Sequence, residues 1–183
     1  MNRRTLLALV VALPGLVACG GGGLDTLFSS GGGSSGSGGS GGSGGGAPAA
    51  MTTAEKAYAD EVLRLVNVER SKARVAPLVA DTAAERAAYT HCVDMDARGY
   101  FDHFAPAPNA SDPGQRLAAA GATNHGWAEN IAMGYPTPTD VVAGWMGSAT
   151  HRTNILNGGL NALGVGVRFG DGSIYWTQDF LAR

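Results

Sequence analysis

The chain is poor in cysteine, has no excess of positive charge, lacks an apolar run long enough to cross a bilayer, and shows no internal repeat. Each absence removes a class of protein. Two cysteines in 183 residues, Cys19 and Cys92, exclude the dense disulfide framework on which small secreted folds rely, so any folded part must be held by its own core. With 13 Lys and Arg against 15 Asp and Glu, the formal charge is −2, and the basic footprint of a nucleic-acid binder is missing. The longest strongly apolar stretch lies near the N-terminus around Leu6 to Leu13, too short for the roughly 20 residues a membrane-spanning helix needs. Two metal signatures are also missing. No pair of histidines stands one helical turn apart with an intervening Glu, as in zinc proteases. Asp94 and Asp96 lie on a helical stretch without the glycine turn of a calcium loop.

What is present is unevenly distributed. Arg3 and Arg4, the apolar run, and Leu16-Val17-Ala18-Cys19 have the layout of a charged, apolar and small-residue export signal. Leu16 to Cys19 resembles a bacterial lipobox, which implies cleavage before Cys19, lipidation of that residue and attachment to a membrane. Gly20 after it, rather than Asp, implies by the same resemblance sorting to an outer membrane where the cell has one. Arg3-Arg4 also fits, weakly, a twin-arginine export signal. Of the 29 glycines, 15 lie between Gly20 and Gly46, and this Gly/Ser stretch cannot bury enough surface to offset its own ordering. A coil of about 30 such residues has a root-mean-square span of roughly 30 Å. The chain therefore divides into a signal over 1–18, a lipidated cysteine and tether over 19–50, and a folded domain over 51–183. Loss of Arg3 and Arg4 takes the mature charge to −4.

Within the domain, Thr52-Thr53, Glu55 and the apolar series Tyr58, Val62, Leu65, Val66 and Val68 predict a capped amphipathic helix to about Lys72. Asp81 caps a second helix over 82–98 with a small-residue face of Ala84, Ala87 and Ala88, ended by Gly99. Asp112-Pro113 opens a short third helix that Gly121 closes. Ala128 to Met133, bracketed by Gly126 and Gly134, predicts a strand. Thr139-Asp140 opens a helix through Val141, Val142, Trp145 and Met146 that reaches Ala149 or beyond. Leu163, Val165, Val167 and Phe169 alternate up to the turn Gly170-Asp171-Gly172-Ser173, after which Ile174 and Trp176 return, a β-hairpin signal. Helices interleaved with a mainly antiparallel sheet give an α+β domain built in layers.

Most of the candidate site chemistry falls between Trp127 and Leu156, where Glu129, Ser148 and His151 stand in one segment. Ser148 and His151, three apart on the expected helix, with Glu129 to orient the imidazole, are the raw material of a Ser-His-acid set. The bland alternatives are a helix serine bonded locally and a buried hydrogen-bond network around Glu129. His91 and Cys92 read as core residues, Trp145 and Trp176 as core aromatics, and Trp127 as a candidate lining residue. Asn67 and Arg70 are placed to tie the first helix to the sheet.

Asn67-Val68-Glu69-Arg70, Tyr100-Phe101-Asp102-His103, Ala128-Glu129-Asn130-Ile131-Ala132, Trp145-Met146-Gly147-Ser148, His151-Arg152-Thr153-Asn154-Ile155-Leu156 and Gly164-Val165-Gly166-Val167 occur in this order. Together they resemble the bacterial branch of the CAP superfamily, the cysteine-rich secretory, antigen 5 and pathogenesis-related proteins, also called SCP domains. The resemblance spans about Ala54 to Leu181. It implies a three-layer α-β-α sandwich and a cleft whose two histidines and two glutamates can bind a divalent metal such as zinc. Residue by residue, the histidines match His103 and His151 and one glutamate matches Glu129. The place of the second glutamate is taken by Ser148, which leaves the set one carboxylate short. The function expected is binding of a lipid, glycan, metal or other envelope component by a monomer, with a metal-dependent or Ser/His hydrolase as the alternative.

Overall fold

The computed structural model describes residues 50–183. The export signal, the Cys19 lipobox and the Gly/Ser tether lie outside the described residues. Thr52 caps α1 (Thr53–Lys72) through a reciprocal capping box with Glu55. Asp81 caps α2 (Thr82–Arg98), which ends at Gly99 in the left-handed conformation, φ 65°. Asp112 caps α3 (Pro113–Ala119), with Pro113 in its first turn. These three helices follow the local signals closely.

Four strands, β1 (Val79–Ala80), β2 (Gly126–Met133), β3 (Ala162–Phe169) and β4 (Ile174–Ala182), form one sheet in the order β1-β3-β4-β2. β3 and β4 make the expected hairpin, and β2 runs antiparallel along the other side of β4. The short β1, parallel to β3, carries no sequence signal because two residues show no period. The last two helices differ from expectation. α4 (Pro138–Gly147) starts earlier, capped by Thr137, whose hydroxyl accepts from the Asp140 amide. It also stops at Gly147, because Ser148 is extended (φ −94°, ψ 125°), and a separate α5 (Ala149–Ile155) follows. Ser148 is therefore a junction residue, not part of one continuous helix with His151.

Strand alternation sorts the core into layers. Leu163, Val165, Val167, Trp176 and Phe180 join α1, α4 and α5 in the larger cluster, which contains Val62, Val66, Trp145 and Ile155. On the opposite face, Ala84 and Ala87 of α2 and Leu117 of α3 pack with Ala162 and Leu181, while Cys92 and Met95 pack with Ile131. This is an α+β fold with helices on both faces of the sheet. The α2 layer is unusually close to β3: a Cβ at Gly164 would stand 2.0 Å from the Glu85 backbone nitrogen, and one at Gly166 2.4 Å from the Ala88 carbonyl carbon. Small residues on both surfaces thus let α2 settle onto the strand and carry His91 and Cys92 down beside it.

Two side chains lash α1 to the rest. Asn67 bonds both the carbonyl and the amide of Leu78, next to β1. Arg70 is wholly buried and donates to the carbonyls of Ala76, Ile155, Asn157 and Leu160, so its hold is on the connection from α5 to β3. Trp145 and Trp176 are core aromatics whose indole N–H groups donate to the carbonyls of Ile131 and Tyr135.

Candidate functional site

The Glu129-Asn130 pair is divided by the pleat of β2, which sends successive side chains to opposite faces of the sheet. Glu129 faces the α2 and α3 layer. Its Oε1 accepts from His103 Nδ1 at 2.7 Å and its Oε2 accepts from Arg116 Nη2 at 2.6 Å. Asn130 faces the other layer, where it donates to Gln178 Oε1 (3.1 Å) and to the His151 carbonyl (3.2 Å) and accepts from Asn154 Nδ2 (2.9 Å). One short motif therefore serves two networks, one around a carboxylate and one that fixes the backbone of α5.

His103 lies on the loop after α2, and that loop is clamped from three sides. His91 Nε2 bonds the Asp102 carbonyl at 2.9 Å, and the Asp102 carboxylate accepts from the Phe104 amide at 2.8 Å. Arg116 Nη1, from α3, donates to the carbonyls of His103 (3.0 Å) and Ser111 (3.1 Å). The same guanidinium thus fixes both the His103 backbone and the carboxylate its ring rests on. The His103 side chain remains 43% exposed while that of Glu129 is 1% exposed. The imidazole is a surface group standing on a buried base.

The charges of the centre follow from these contacts. Burial pushes the Glu129 carboxyl upward, but the His103 hydrogen bond and the positive charge of Arg116 outweigh it and hold the group below the ordinary carboxylate value. Glu129 is thus ionised and accepts the Nδ1–H of His103, which leaves Nε2 as the ring nitrogen not bound to the carboxylate. Burial drives His91 down to about 4, so it is neutral at physiological pH. His151, half-buried, is lowered first by burial and then by His103. Burial raises the Cys92 thiol, as expected of a core residue, and removes it as a nucleophile.

Neither expected catalytic arrangement is assembled. Both oxygens of Glu129 are engaged by His103 and Arg116, so the acid orients His103 and not His151. Ser148 lies extended between helices with no cap bond from its side chain, which leaves the Ser148, His151 and Glu129 set unformed. The zinc set fits no better. Among the described residues no group of three His, Cys, Asp or Glu side chains is placed to hold a metal ion. Two polar residues central to the geometry, Arg116 and Asp179, were not signalled as site residues by any motif. Asp179 is fully buried opposite Glu129 in the β2–β4 register. A charged residue among the inward positions of a hairpin strand is the signal that could have marked it.

Exposed aromatic side chains stand beside the centre. Phe104, next to His103, is 64% exposed, and Trp127, two residues before Glu129 on the same face of β2, is 44% exposed. The Trp127 indole closes over Gly114, where a Cβ would come within 2.8 Å of its Nε1. Cavities of about 450 and 370 Å³ lie elsewhere, one bordered by Tyr58, Pro136 and Phe169 and the other by Arg152 and Leu156.

Residues 63–180 match the cysteine-rich secretory protein family, CAP. Over 137 residues the chain is 39% identical to the uncharacterized protein YkwD of Bacillus subtilis, covering 75% of this chain and 50% of that one. It is 34% identical over 132 residues to the uncharacterized membrane protein YlbC of the same organism, covering 72% of this chain and 35% of that one. A crystal structure of an extracellular protein containing an SCP domain from Bacillus anthracis superposes with a TM-score of 0.66 at 28% identity, covering 74% of this chain and 45% of that chain. The chain thus spans half or less of the length of each of these three.

Proposed function

The chain belongs to the CAP family of cysteine-rich secretory proteins, and from that footing we propose that it is an exported, lipid-anchored binding domain. Its ligand docks at His103. The observation that carries this reading is the imidazole held by Nδ1 on the buried Glu129, which fixes Nε2 as a hydrogen-bonding group at the surface. Such a group suits a ligand that offers a hydroxyl. The exposed rings of Phe104 and Trp127 offer apolar faces to the body of the same ligand, as a glycan or other envelope component would require. Anchoring rests on Cys19 within Leu16-Val17-Ala18-Cys19, and export is in keeping with the extracellular relative.

Native mass spectrometry of the protein purified from its own envelope tests the binding claim. A retained small molecule that disappears in His103→Ala, with the thermal unfolding of that variant little changed, is expected. A ligand kept equally by His103→Ala, or none retained by the wild type, removes the reading. Anchoring is tested by fractionation: Cys19→Ala moves to the soluble fraction, and membrane retention of that variant refutes lipidation.

A further inference from the structure

We infer that Asp179 is a neutral carboxylic acid that donates its O–H to Glu129, and that it is a positioning residue that sets the Glu129 carboxylate under His103. Asp179 is wholly buried on β4, opposite Glu129 of β2 on one side and Gly164 of β3 on the other. Neither of its oxygens has a donor among the described residues. An ionised carboxylate left so would be among the costliest groups a protein can bury.

The one positive group facing it offsets its charge only in part. From α3, Arg116 faces this space, but its Nη2 is bonded to Glu129, its Nη1 to two carbonyls, and its Nε to nothing. From α2 comes Cys92, whose Sγ lies 3.2 Å from Thr177 Oγ1 and 3.4 Å from the Gly166 carbonyl oxygen. Gly164 of β3 has no side chain. From β2 comes Glu129 itself, already ionised and holding the only guanidinium. Two buried carboxyl groups side by side with one positive partner between them cannot both lose their protons. Glu129 has the donors, so the proton stays on Asp179. Burial first, and then the negative charge of Glu129, outweigh the opposing charge of Arg116 and push the Asp179 carboxyl well above its ordinary value.

The O–H resolves the bonding as well as the charge. A protonated acid is a donor, and the acceptor facing it across the strands is Glu129. That carboxylate is then held by three donors from three elements: His103 from the loop, Arg116 from α3 and Asp179 from β4. This inference rests on the buried geometry and not on the identity of any ligand.

Infrared spectroscopy of the full-length chain at neutral pH tests it. A carbonyl band of a protonated carboxylic acid is expected, shifted by carboxyl-13C aspartate and untouched by carboxyl-13C glutamate. Absence of the band, or a band that follows the glutamate label, overturns the assignment. Positioning is read from the ring nitrogens of His103 by 15N NMR. Asp179→Asn, whose amide still donates, keeps the proton on Nδ1, whereas Asp179→Val, which removes the donor, shifts the ring toward a mixture of tautomers. A wild-type spectrum unchanged in Asp179→Val, or loss of the Nδ1 proton in Asp179→Asn, overturns the positioning role. Should Asp179→Val fail to fold, the Asp179→Asn spectrum decides alone.

Discussion

Arg116→Met removes the guanidinium that holds Glu129 and the His103 loop together, and its cost follows from burial. The Arg116 and Glu129 side chains are 7% and 1% exposed, so solvent screens the pair weakly. Breaking a buried pair by deleting one partner costs about 3–5 kcal/mol, because the remaining charge stays desolvated. The carbonyls of His103 and Ser111 also lose their donor. For a domain of this size the loss corresponds to a fall in melting temperature of about 10–20 °C. Urea unfolding, followed by fluorescence of the buried Trp145 and Trp176, measures it directly. The cost shrinks on acidification, since the uncompensated Glu129 then takes a proton. Arg116→Met combined with Glu129→Leu should cost at least about 2 kcal/mol less than the two single changes together, because the double variant leaves no buried charge. A single-variant cost below about 1 kcal/mol, or strict additivity in the cycle, refutes the reasoning.

Gly166→Ala places a Cβ 2.4 Å from the backbone of α2 at Ala88. The helix must lift from β3, with a loss of about 1–3 kcal/mol or more, and a melting temperature equal to wild type would contradict this packing. Stability should also fall as pH drops from 6.5 toward 4, because His91 has a folded-state value of about 4 against an ordinary 6.5. Above 6.5 the histidine is neutral in both states. Below it the unfolded chain binds a proton that the folded one refuses, a loss of about 3 kcal/mol by linkage. Asp179, raised in the folded state, works in the opposite direction, since its penalty fades as pH falls toward its unfolded value. His91→Gln should flatten the acid slope relative to wild type. An unchanged slope would show that His91 is not the group responsible.

The helices with strong caps were legible because their signals are local. Thr52, Asp81 and Asp112 each accept a bond from the backbone three residues on, and that geometry is written within four positions of sequence. The hairpin was equally legible from its alternation and turn. The break at Ser148 was not, although Gly147-Ser148 joins a residue type that ends helices to one that starts them. β1 was invisible for want of length. Glu129 and His103 were identified through motif order, whereas the division of labour between them and His151 depended on which face of β2 each group meets.

The sequence by itself determined the capped helices, the hairpin and the family, because caps, periods and motifs act over short stretches of chain. Only the tertiary structure decided what Glu129 is for. Its partners come from a loop 26 residues before it, a helix 13 residues before it and a strand 50 residues after it, and no local pattern couples those positions. What couples them is burial: a carboxylate sealed between the sheet and the α2–α3 layer must find its donors wherever the chain happens to pass. Arg116 and Asp179 answer that requirement, and the fold alone brings them to it.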